Sequence, residues 1–130
     1  MDEMTRLLEQ ASRGVEAMQR LQVLYDREMW DIDDPAFTKL RHIHVHLSVT
    51  VGKLAKLIEP KDHLSHHGEE IDVKQLESEF SPILADLLMH ASQLANLAES
   101  DLGQMLARRY KNNATRFAPD SSFAKIQLAD

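Results

Sequence analysis

The stretch PILADLLMHASQLANLAE, residues 82–99, decides the fold class. Ile83, Leu84, Leu87, Leu88, Ala91, Leu94, Ala95 and Ala98 recur at steps of three and four, with Leu97 beside them. Those steps trace one wide stripe along a helix, whereas a half-buried strand would alternate every second residue. A stripe this wide is more than one neighbouring helix covers. The chain is therefore expected to form an all-α helical bundle completed by homo-oligomerisation, as a dimer or a tetramer.

Outward from that stretch the same period continues. Toward the amino terminus, Leu7, Leu8, Ala11, Val15, Met18, Leu21, Leu24 and Tyr25 predict a first helix over about residues 2–27, with Gly14 inside it costing roughly 1 kcal/mol relative to Ala. Asp34 reads as an N-cap and Pro35 as the first residue of a second helix. Its apolar face is Leu40, Ile43, Leu47, Val51, Leu54 and Ile58, and Pro60 is expected to stop it. A polar loop over residues 59–71 follows, carrying His63, His66, His67 and Gly68. Asp72 with Gln75 forms one capping-box pattern, and Ser81-Pro82 restarts or kinks the chain. Asp101 with Gln104 is a second box, opening a helix to about residue 113. Residues 1–117 thus read as one helical domain, and 118–130 as an arm or partly disordered tail.

Bulk composition narrows the function classes. The 130 residues suffice for one domain; 43% are apolar and 28% charged, with four Gly and four Pro, which excludes a disordered chain. A net charge of −6 argues against nucleic acid polymers as a main partner. The absence of cysteine excludes disulfides, thiolate metal sites and thiol nucleophiles. The acidic, amphipathic start MDEMTRLLEQ has no apolar run of signal or membrane length, so a cytoplasmic, non-membrane protein is the expectation. There is no Gly-rich phosphate loop, nucleophile elbow or Ser/His/Asp order.

A more specific order of pieces follows Trp30. A helix carries His46-Leu47-Ser48-Val49-Thr50-Val51-Gly52-Lys53-Leu54-Ala55, and a later one begins Leu84-Ala85-Asp86-Leu87-Leu88 and runs on through Leu94-Ala95. Asp101-Leu102 comes next, then Arg109-Tyr110-Lys111-Asn112-Asn113-Ala114-Thr115-Arg116-Phe117. Over roughly residues 30–117 this order resembles the MazG-like, all-α nucleotide pyrophosphohydrolases. The resemblance implies a nucleotide ligand, and Mg²⁺ held by Glu-x-x-Glu on one helix facing Glu-x-x-Asp on the next, since hard cations need carboxylate oxygens one turn apart. Such an ion would polarise a phosphoanhydride and activate water, releasing pyrophosphate from a nucleoside triphosphate.

Carried over position by position, those carboxylates fall on Thr50, Lys53, Ile83 and Asp86, so one of four remains. The resemblance also implies that Lys111 with Asn112 or Asn113 approaches the nucleotide, and Arg116 stands close by in sequence. The expectation is a catalytically degenerate member that binds a nucleotide or a protein partner, with Lys53, Asp86, Lys111, Asn112 and Arg116 as phosphate-binding candidates. The alternative is an active pyrophosphohydrolase with displaced or histidine ligands. No cofactor is expected of the degenerate form; an active one would use Mg²⁺ or a transition metal.

At about 100° per residue, His42, His46, Thr50 and Lys53 share one edge of the second helix, and Asp86, His90 and Gln93 one edge of the third. Antiparallel packing would set Thr50 and Lys53 opposite Asp86, and His46 near His90. Two replacements for the lost site follow: a Lys53–Asp86 ion pair, structural or phosphate-binding, and a transition-metal site from His42, His46, Asp86 and His90. Arg108, Arg109, Lys111 and Arg116 read equally as phosphate ligands or as cations complementing a helix dipole. Trp30 reads as a core or interface anchor, or as an aromatic that stacks on a base. His63, His66 and His67, and Glu69, Glu70, Glu77 and Glu79, read as solvated.

Overall fold

The computed structural model describes residues 2–31 and 33–129. Among the described residues there are four α-helices: α1 (Glu3–Met29), α2 (Ala36–His66), α3 (Glu77–Leu97) and α4 (Leu102–Phe117). Short 3₁₀ turns span Val73–Leu76 and Ser122–Lys125, and no strand occurs among the described residues. The all-helical expectation holds. The chain divides into two compact units, residues 32–94 in one and residues 1–31 with 95–130 in the other.

In the discontinuous unit, Asp2 caps α1 by accepting from the Thr5 N–H at 2.8 Å, and the hydrogen bonds from Thr5 hold its carboxyl below the ordinary range. The helix outruns its expected end and closes where the Trp30 N–H bonds the Asp26 carbonyl. α1 packs on α4, whose Gly103 lies so close that a Cβ there would sit 3.1 Å from the Ser12 Cα. The end of this contact nearest the α3–α4 corner is polar. The Gln19 side-chain amide donates to Asn96 Oδ1 (3.0 Å) and to the Ser100 carbonyl (2.9 Å). Its oxygen accepts the Leu102 N–H at 3.0 Å, while Asn96 Nδ2 donates back to the Gln19 carbonyl. One glutamine therefore satisfies backbone groups on both sides of the α3–α4 corner. Asp101 caps α4 as its spacing predicts, accepting from the Gln104 N–H at 3.0 Å.

The segment after Phe117 has more structure than its weak periodicity suggested. It forms the 3₁₀ turn of Ser122–Lys125, stacks Phe123 against Tyr110 with ring centroids 5.5 Å apart, and buries Ile126. Lys111 Nζ donates to the Ile126 carbonyl at 2.8 Å and ties the segment to α4.

In the contiguous unit, α2 differs from its expected bounds at both ends. The N-cap is Pro35 rather than Asp34, with no side-chain cap. Pro60 does not stop the helix: it sits exposed inside it, and the carbonyl its missing N–H would bond, on Lys56, lies on an exposed turn where water can serve instead. The stop comes at Gly68, whose φ of 87° permits a Schellman ending with Gly68 N–H to the Ser65 carbonyl and Glu69 N–H to the Leu64 carbonyl. His63 and His66 therefore lie on the last turns of α2, not in a loop.

The inward seam of α2 is Ile43, Leu47, Thr50, Leu54, Leu57 and Lys61, in four-three-four-three-four steps. Leu40, Val51 and Ile58, expected to face inward, are exposed. Asp72 opens the 3₁₀ turn by accepting from the Lys74 N–H, and α3 follows directly with Glu77 and Glu79 in its first turn, where acidic side chains suit the helix dipole. α3 therefore starts at Glu77 rather than Pro82, which falls in the second turn. Its end is again a Schellman motif, with Glu99 N–H to the Asn96 carbonyl and Ser100 N–H to the Ala95 carbonyl. Here the left-handed residue is Glu99, with φ 51°.

Candidate functional site

The candidate site lies where α2 and α3 approach within the contiguous unit. Thr50 is 4% exposed, and its hydroxyl donates to the His46 carbonyl one turn back at 3.1 Å. His90 Nε2 stands 3.4 Å from the same hydroxyl, and His90 Nδ1 is 3.1 Å from Gln93 Oε1. His90 Nδ1–H donates to the Gln93 amide oxygen and the bare Nε2 faces the Thr50 hydroxyl, whose one proton is shared between that nitrogen and the His46 carbonyl, so Gln93, His90 and Thr50 form one polar chain. Ile83, standing where the resemblance would put a carboxylate, is 7% exposed and belongs to the apolar core.

The facing differs from the expected one by a helical turn. Thr50 meets His90 on α3, not Asp86. Lys53 is exposed, Asp86 is half-buried, and no ion pair joins the two. The Lys53–Asp86 replacement is thus corrected. The buried seam runs through Thr50 and Leu54, and Lys53, one residue off it, points its stem and ammonium to solvent.

Of the histidine set, two members come together. His42 and His46 present their Nε2 atoms 3.1 Å apart on the exposed side of α2, edge to face, with ring centroids at 4.5 Å. His90 is engaged with Thr50 and Gln93, and no group of three or more His, Cys, Asp or Glu arranged to hold a metal occurs among the described residues.

Lys111, Asn112 and Arg116 belong to the other unit. Lys111 holds the Ile126 carbonyl, Asn112 is exposed, and the Arg116 guanidinium lies over the Phe117 ring at 4.9 Å from its centroid. Arg108 and Arg109 are exposed, as are Glu69, Glu70, Glu77 and Glu79, while Trp30 is half-buried. An apolar groove of about 380 Å³ in this unit is lined by Leu7, Leu8, Leu106, Tyr110 and Phe123. The Gln19 clasp was not foreseen, although Asn96, a lone amide amid the apolar residues 94–98, signals a buried partner.

No family model, no curated protein and no solved structure matches this chain. No helix among the described residues is long and apolar enough to cross a membrane.

Proposed function

We propose that this chain is a MazG-like helical module without pyrophosphohydrolase activity, acting by association, with a second copy of itself as the first partner. The observation that carries the reading is the Thr50–His90–Gln93 chain, together with the burial of Ile83 where the resemblance puts a carboxylate. Mg²⁺ requires several convergent oxygen ligands, carboxylates above all, and this seam offers a hydroxyl, an imidazole, one amide and an aliphatic side chain. Association is supported by apolar surface at heptad-like steps. On α3, Leu84 and Leu88 are 51% and 57% exposed and stand in line with Ala91. A protein partner fits better than a nucleotide, because Lys111 is spent on the Ile126 carbonyl.

The test is pyrophosphate release from a panel of nucleoside triphosphates with Mg²⁺, Mn²⁺ or Zn²⁺. No turnover above buffer is expected. Turnover abolished by Asp86→Ala would overturn the reading in favour of hydrolysis with displaced ligands. Calorimetric heat with non-hydrolysed nucleotides would replace protein association by nucleotide binding.

A further inference from the structure

We propose that His42 and His46 together form a binding site for a late first-row divalent transition ion. Positions i and i+4 of a helix stack on one face, and here both Nε2 atoms converge to 3.1 Å. With metal–nitrogen bonds of about 2.0–2.1 Å, two nitrogens at that separation subtend roughly 95–102° at the ion, between the square-planar and tetrahedral angles. The helix backbone already holds the bite, so binding costs little reordering.

In the metal-free pair, the short contact places an N–H of one ring against the bare nitrogen of the other. Metal binding needs both Nε2 lone pairs. The donating ring therefore carries its proton on Nδ1 instead, and the neutral pair takes the ion with no net release of protons and no change of oxidation state.

The donor set selects the ion. Two imidazoles favour Cu²⁺ over Ni²⁺ and Zn²⁺, and all three over Mn²⁺, while Mg²⁺ and Ca²⁺ lack the oxygen ligands they need. Both histidines are exposed, flanked by the exposed Val45 and Val49, so an ion enters without opening the helix. The nearest charged residues along α2 are Lys39, Arg41 and Lys53 rather than carboxylates. The ion keeps its positive charge, and its open positions take water or an anionic oxygen from solution.

The test titrates the full chain with Cu²⁺ followed by electron paramagnetic resonance, and with Zn²⁺ followed by the imidazole proton signals. One tight equivalent is expected, with nitrogen hyperfine structure from two imidazoles and the His42 and His46 signals moving first. His42→Ala or His46→Ala should weaken that equivalent roughly a hundredfold, because each removes one arm of a linked pair. His63→Ala with His67→Ala should leave it unchanged. Unaltered affinity in His42→Ala, or a first equivalent that perturbs His63, His66 or His67 in the unmodified chain, overturns the assignment; the second readout needs no variant to fold.

Discussion

Gln19 joins distant parts of the discontinuous unit, since its amide meets Asn96 Oδ1, the Ser100 carbonyl and the Leu102 N–H at once. Gln19→Ala leaves all three without that partner in a part-buried setting, and should cost about 3 kcal/mol, read as a lower urea midpoint at unchanged slope. Glu99 is the opposite case. It occupies a left-handed position at φ 51°, where the matching residue of α2 is Gly68. Glu99→Gly should therefore raise stability by about 1 kcal/mol in the same assay. Neither residue was legible from apolar periodicity, which registers polar residues as surface and is blind to a glutamine that faces inward. The same blindness set Thr50 against Asp86: spacing fixes which residues share a helix edge but not which turn of the neighbour they meet, and the observed partner is His90.

At the scale of the helices, what the sequence foretold well were the features with a local cause. Asp101 caps α4 because its carboxylate reaches the N–H three residues on, a contact that needs no tertiary context. Pro60 misled because a local penalty met a tertiary gain. Inserting proline costs up to about 3 kcal/mol, yet Leu57 and Lys61 on either side are partly buried, and the stranded Lys56 carbonyl faces water. Pro60→Ala should restore that hydrogen bond and stabilise by about 1–3 kcal/mol. Hydrogen exchange would show it as slower amides across the turns that follow, from Lys61 to Leu64. Unchanged exchange there would mean that the last turns of α2 are held by their Schellman ending alone.

For the molecule as a whole, the wide stripe of residues 82–99 is divided between two fates. Ile83 is buried, while Leu84 and Leu88 stay at the surface. Burying a leucine is worth about 1.5–3 kcal/mol, and a symmetric contact counts it twice. Leu84→Glu with Leu88→Glu should thus weaken a dimer by at least roughly a hundredfold, seen by sedimentation as a monomer with unchanged helicity. A wild-type chain that sediments as a monomer at high concentration would remove association from the proposed function. Helix number and class were legible in the sequence because periodicity records them. The division into two units was not, since it depends on which distant segments share contacts.

That division has a consequence for synthesis on the ribosome. Residues 32–94 are contiguous, so their helices can pair as soon as they emerge, whereas α1 finds α4 only after about 70 further residues have been added, roughly 4–14 s at ordinary elongation rates. Through that interval the Gln19 amide has neither the Ser100 carbonyl nor the Leu102 N–H to bond, and the leucines of α1 are exposed on a nascent chain. Of these four helices α1 is made before the others yet must wait for α4 to be locked, and the wait is when a chaperone would find it.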